Sequence, residues 1–223
     1  MGETIELRRV TDEEGAQPCE VLIREYVAWL CHQLWREHEV VIDAAEMEAA
    51  NEAFRAEWPR LFEARGRMWL VLVEGEPAGV AALKPVDAEV CELKRMYVHP
   101  GHRGLGLGRL LLDRAVDDAR ALGYRSARLE TFDFMHAAQS LYRSSGFVET
   151  APYDESEGAD HGVAAFELFM SVDLTVASSR VAPDDVVVEV PGIEPGSFGD
   201  RTGLLRAQPA ASSSTPAVAQ ARC

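Results

Sequence analysis

The sequence predicts an α/β (α+β) domain, with a mixed, mainly antiparallel central sheet of about six to seven strands flanked by about four helices. Three observations carry this. Alternating apolar runs and amphipathic stretches interleave in the order β-α-α-β-β-β-α-β-α-β-β through about residue 175. A glycine between two apolar runs signals a hairpin, so the early strands pair antiparallel, while the later strand–helix–strand runs require crossovers. The composition, 47% hydrophobic and 26% charged over 223 residues, is that of a globular chain with one good core.

The elements follow in order. "TIELRRV" alternates and reads as the first strand. From Pro18, a residue suited to a first helical turn, to about His38, Val21, Leu22, Trp29, Leu30 and Leu34 recur at helical spacing. A second helix starts at Asp43, with Glu46 completing a capping box, and runs to about Trp58 before Pro59. "MWLVLVEGEPAGVAALKPV" is a hairpin turning at Gly75, and "VCELKRMYVHP" is a strand stopped by Pro100. A long amphipathic helix spans about Gly106 to Leu122, with Gly123 as its stop. "SARLETF" is a strand, "MHAAQSLYRSSGF" a helix with Gly146 past its end, and "FVETAPY" and "VAAFELFMSVDL" close the domain as strands.

Composition changes near residue 176. The segment 176–223 holds five of the eleven prolines and one aromatic, Phe198, and ends in Ala, Ser and Pro, so the reading is a domain over 1–175 and a tail that does not order itself. Within it "DVVVEV" is a candidate edge strand and "GLLRAQ" a candidate short helix.

Several function classes are excluded. The net charge of −15 argues against nucleic-acid binding, which needs a basic footprint. No apolar run approaches the ~20 residues of a membrane span, and "MGETIELRRV" lacks the apolar core of a signal peptide, so a cytoplasmic protein is expected. Cys19, Cys31, Cys91 and Cys223 show no paired spacing and read as reduced thiols; the six histidines form no metal-binding pattern, so no metal is expected.

The informative stretch is "VHPGHRGLGLGRLL". Three glycines between a strand and a helix leave backbone N–H groups uncovered at a helix N-terminus, an anion seat. From Leu93 to Leu112 there are Lys94, Arg95, Arg103 and Arg109 and no acid, a local reversal of the chain's charge that suits phosphate. The spacing is neither that of a P-loop, since no GK[ST] follows, nor G-x-G-x-x-G.

The run R-x-x-G-x-G, Arg103 to Gly108, resembles the acyl-CoA pyrophosphate loop of the GNAT N-acetyltransferase superfamily, and "AAQSLYRSSGF" resembles that superfamily's later A-x-x-L-Y-x-x-x-G-F segment. The resemblance is strong over about residues 90 to 148 and implies the acyl-CoA N-acyltransferase fold, acetyl-CoA as co-substrate and an amine as acceptor. It implies that the pantetheine arm runs beside Met96, Tyr97 and Val98. The pyrophosphate would meet Arg103, Gly104, Leu105, Gly106 and Gly108, with Arg109 nearby.

Such a transfer needs a group to take a proton from the amine and one to protonate the thiolate. Strand alternation places Glu92 on one face with Met96 and Val98, which makes it the first candidate base; the alternative is a structural partner for Lys94 or an arginine. Glu130 in "LETF" is the second. Tyr142 is the candidate acid by the resemblance, against a plain core role. Members often carry Asn seven residues before this Tyr; here Met135 stands there, and neighbouring His136 is a polar substitute or a surface residue. Trp29, Trp35, Phe54 and Trp58 are expected to pack the lid helices, and the acidic loop "YDESEGADHG" either attracts a cationic amine or is a plain solvated loop. The strand "VAAFELFMSVDL" is a candidate shared edge for a homodimer. The competing function is a catalytically silent acyl-CoA-binding sensor.

Overall fold

Asp12 starts the first helix: its carboxylate accepts from the Gly15 N–H at 2.8 Å. Helix α1 therefore spans Glu13–His38, beginning five residues before the expected Pro18, which lies inside it. In the computed structural model, residues 3–153, 163–175 and 186–190 are described. Helix α2, Ala44–Ala56, has the capping box the sequence announces: Asp43 accepts from Glu46, whose carboxylate accepts from Asp43 N–H. Pro59 ends nothing. It sits in the first turn of a five-residue α3, Trp58–Phe62, where its missing N–H costs no hydrogen bond.

The strands are β1 Glu3–Arg9, β2 Arg67–Val73, β3 Glu76–Pro85, β4 Val90–Val98, β5 Ser126–Phe132, β6 Val148–Thr150, β7 Glu167–Asp173 and β8 Val186–Val190. Between them lie α4, Leu107–Ala121, and α5, His136–Ser144. The sheet order is β6-β7-β5-β4-β3-β2-β1-β8, with β4 and β5 parallel and every other pair antiparallel. The β2–β3 turn uses Glu74 (φ 51°) and Gly75 (φ 84°), the paired left-handed residues of a tight hairpin.

Eight strands are present rather than six or seven, because "DVVVEV" joins as β8 along β1. The expected boundary near residue 176 thus falls short of the last strand, and the compact unit runs through Gly192. "GLLRAQ" lies outside the described residues. The strand in "VAAFELFMSVDL" is not an edge: β7 is paired on both sides, by β5 and β6. This corrects the surface on which a shared-edge homodimer was expected.

Both faces of the sheet are covered. One buries Trp69, Val71 and Leu93 against Leu111 and Leu112 of α4, with Tyr142 of α5 in the same cluster. The other buries Met68, Leu70 and Val80 with Ile23, Phe54 and Trp58 from α1–α3. The alternation of β2 into both clusters is why its sequence is an unbroken apolar run. Among the described residues no helix is long and apolar enough to cross a membrane.

Candidate active site

β4 and β5 pair only from Val90↔Ser126 to Leu93↔Leu129, then part. The cause lies in β4. Val80 faces Tyr97 and Ala82 faces Lys94, so three steps along β4 match two along β3, and Arg95 takes the left-handed φ of 51°. This is a β-bulge, which bends its strand and adds an unpaired residue. On the other side, the buried Gln139 of α5 donates to the Phe132 and Asp133 carbonyls at 2.8 and 2.9 Å, tying down the turn that ends β5. Between the diverging strands lies a cavity of about 450 Å³.

The bulge also corrects the face expected of Glu92. Alternation through an unbroken strand would put Glu92 with Met96 and Val98, but the extra residue reverses the phase. Leu93, Met96 and Val98 pack toward α4 and α5. Tyr97 belongs to the opposite face, as does Lys94, which opposes Ala82 and reaches Glu57 after α2. Glu92, two residues before Lys94, shares that face and is 4% exposed.

Glu92 has the partners that its structural alternative supposed. Its Oε2 accepts from Arg128 Nε at 3.0 Å, and its Oε1 lies 3.4 Å from Lys94 Nζ. Lys94 continues to Glu57 at 4.0 Å, and Glu57 to Lys84, a row of alternating charge across the sheet. The basic run read around the glycines therefore divides. Lys94 is buried in this row and the Arg95 guanidinium lies 4.9 Å over the Phe54 ring, so only Arg103 and Arg109 stay with the loop. The Arg103 Nε donates to the Val98 carbonyl at 3.4 Å; Arg109 donates to the hydroxyls of Ser144, the last residue of α5, and Ser145 just past it, and lies 3.6 Å from Asp113.

The second carboxylate, Glu130, sits one residue past the last β4–β5 pair and lines the cavity. It is near Tyr153: burial, followed by the charges of Glu130 and Glu92, pushes the Tyr153 phenol well up, and Arg128 lies 3.8 Å over its ring. Tyr142 also lines the cavity, 6% exposed, and burial followed by nearby Tyr26 holds its phenol well above the ordinary range. It is thus protonated at any working pH. Met135, at the place of the family's Asn, accepts weakly from the Thr131 hydroxyl at 3.4 Å; His136 is exposed and makes no cap.

The loop has room for a phosphate. Gly104 (φ 90°) and Gly106 (φ 78°, the N-cap of α4) adopt left-handed backbone, and a Cβ on either would meet open space. Gly108 differs: its Cβ would come 3.3 Å from Leu141 and 3.8 Å from Met96, all three lining the cavity. The first N–H groups of α4 lack intrahelical partners by geometry. The residues present therefore fit a pyrophosphate at the loop and a narrow chain passing Gly108 into the cleft.

The sequence missed Arg128 and the aromatic residues Tyr26 and Phe134. Arg128 was within reach, since Arg-Leu-Glu in "ARLETF" puts a cation and an acid on one strand face; Phe134 sits in a turn with no periodicity to reveal it. Of the expected lid packing, Phe54 and Trp58 are buried, Trp29 lines the cavity, and Trp35 is 55% exposed beside His32. Asp154 to Gly162 of the acidic loop lie outside the described residues.

A family model described as the Acetyltransferase (GNAT) family matches residues 29–147, more than half of the chain. The chain belongs to that family. An uncharacterized N-acetyltransferase of Schizosaccharomyces pombe is 42% identical over 80 residues, which covers 35% of this GNAT chain and 49% of that protein. The chain spans about half the length of the curated relatives it matches first. Among solved structures, the PaiA N-acetyltransferase of Thermoplasma acidophilum in complex with coenzyme A aligns with TM-score 0.57 at 18% identity, over 76% of this chain and 98% of that one. A putative acetyltransferase of Salmonella typhimurium with its cofactor acetyl-CoA aligns with TM-score 0.51 at 22% identity, over 80% and 96%. These likenesses establish that the fold is the GNAT fold.

Proposed function

We propose that this protein is an acetyl-CoA-dependent N-acetyltransferase acting on a primary amine. The observation that carries the reading is the β4–β5 opening, with the glycine loop at one end and two carboxylates and a buried phenol on its walls. In this reading the CoA pyrophosphate sits on the backbone of Gly104 to Gly108, and the pantetheine arm follows the edge of Met96 to Val98 that β5 leaves free. Solved family structures that hold CoA or acetyl-CoA support the choice of co-substrate.

Glu130 is the base. It stands one residue past the point where β4 and β5 part, beside the Tyr153 phenol; Glu92 also lines the cavity, but both its oxygens face cations. Glu92 is a positioning residue that holds Arg128 and Lys94. Glu130 takes the proton of the bound ammonium and passes it to solvent. The amine lone pair forms the C–N bond as the C–S bond breaks. The thiolate takes the Tyr142 proton, and the proton released from the new amide nitrogen restores the phenol.

The test is thiol release from acetyl-CoA across an amine panel. Glu130→Gln should lower kcat by about 10²-fold or more, most at low pH, with acetyl-CoA KM unchanged. Glu92→Gln should act more weakly and with a loss of thermal stability. Tight CoA binding with no amine-dependent thiol release would favour the sensor reading. A larger kcat loss at Glu92 than at Glu130 would reassign the base.

A further inference from the structure

One wall of the cavity is made of aromatic rings in contact. Tyr97 meets Tyr26 at 5.8 Å between centroids, Tyr26 meets Trp29 at 6.3 Å, Trp29 meets Phe134 at 6.5 Å, and Phe134 stacks on Phe132 at 5.5 Å. All five line the cavity, from four separate places in the chain: β4, α1, β5 and the turn after it. Tyr26, Trp29 and Phe134 are only half-buried, so they keep area to give to a ligand. Leu30 of α1 and Met47 and Glu46 of α2 line the cavity as well. At the β5 edge of this wall stand Glu130 and, on the facing strand opposite Phe132, Glu167.

An apolar wall ending in carboxylates selects for one kind of amine. We infer that the acceptor is a small arylalkyl amine, its ring on the Tyr26–Trp29–Phe134 wall and its ammonium at Glu130. This rests on the acetyltransferase reading above. A polyamine would lay a charged chain along rings and aliphatic side chains, where Glu46 of α2 is the carboxylate on offer, and a peptide would bring backbone N–H and C=O groups that such a wall cannot satisfy. A free amino acid presenting its α-amine would set its own carboxylate beside Glu130 and Glu167. A flat ring, by contrast, gains offset or edge-to-face contact with each wall member beyond its buried area.

The experiment pairs calorimetric titration of the CoA-loaded protein with thiol-release kinetics, using 2-phenylethylamine, tryptamine, spermidine and lysine. The aryl amines should bind at least about tenfold more tightly than spermidine or lysine and give the highest kcat/KM. Trp29→Ala and Phe134→Ala should each raise the aryl-amine KM or Kd about tenfold, leave acetyl-CoA KM unmoved, and be rescued by Trp29→Phe and Phe134→Tyr. Phe134 lies in a turn, so its variants keep the test open if a Trp29 variant unfolds. Preference for spermidine or lysine, or aryl-amine KM values indifferent to both positions, would overturn the inference and leave the acetyltransferase reading standing. Thiol release with none of the amines, despite CoA binding, would count against the acetyltransferase reading instead; the calorimetric preference and its loss in the two variants would still decide the chemistry of the wall.

Discussion

Gly108→Ala should separate stability from cofactor binding. Gly108 is the second residue of α4, with ordinary helical backbone, so alanine there gains about 1 kcal/mol of helix propensity. Its Cβ would lie 3.3 Å from Leu141 Cδ2, a contact that must open by a few tenths of an ångström. The atom that must yield is the flexible end of a half-buried side chain, so the strain offsets only part of the gain. Net stability should change by between zero and about +1 kcal/mol, a rise in Tm of at most about 4 °C. The same methyl, directed at Leu141 and Met96, narrows the cleft where the pantetheine arm is proposed to pass. Overpacking of about 1.4 kcal/mol there raises acetyl-CoA KM about tenfold. Gly104→Ala is the counterpart: open space but a φ of 90°, costing about 1–2 kcal/mol of stability. Thermal melts with and without CoA, alongside steady-state kinetics, read both quantities. Wild-type acetyl-CoA KM in Gly108→Ala, with the fold intact, would refute the reasoning that this glycine exists to admit the cofactor.

Further outcomes are expected elsewhere. Tyr142→Phe should lower kcat by about 10²-fold with CoA affinity nearly kept, and a collapse of the melt instead would assign the ring to packing alone. Arg128→Ala leaves buried Glu92 facing Lys94 without its guanidinium and should cost about 3 kcal/mol by chemical denaturation; a change below ~0.5 kcal/mol would show the pair to be incidental. Burial pushes the thiols of Cys19 and Cys91 up to about 12. Both should resist iodoacetamide in the native protein at pH 8, checked by peptide mapping. The unfolded chain releases these protons near pH 8.5 while the folded one keeps them to about 12, so their contribution to stability is present below pH 8.5 and falls as pH rises through that window. A stability constant from pH 8.5 to 10 would contradict that burial.

What was legible follows from local physics. The Asp43–Glu46 box, the Gly75 hairpin, the stop at Gly123 and the glycine loop are each written within a few neighbouring residues, because caps, turns and left-handed backbone depend on adjacent side chains. Tyr142 became a candidate through the resemblance of "AAQSLYRSSGF" to a family segment, since its helical pattern alone reads as core. The start of α1 was misplaced for a related reason: Pro18 is tolerated within the helix once Asp12 has already capped it.

The chemistry-bearing faces were not legible to the same degree. The sequence by itself determined the order of the elements from β1 to β7 apart from the short α3, the glycine loop before α4 and the cast of candidate residues, since these rest on patterns short in sequence. Only the tertiary structure decided which of them meet. The bulge at Arg95 reverses the phase of β4, turning Glu92 away from Met96 and Val98 and into the charge row of Arg128, Lys94 and Glu57. A bulge is set by how β4 registers against β3, and the aromatic wall by how α1 lies over β4, β5 and the following turn. Both join residues tens of positions apart, where side-chain periodicity along one strand or helix carries no information.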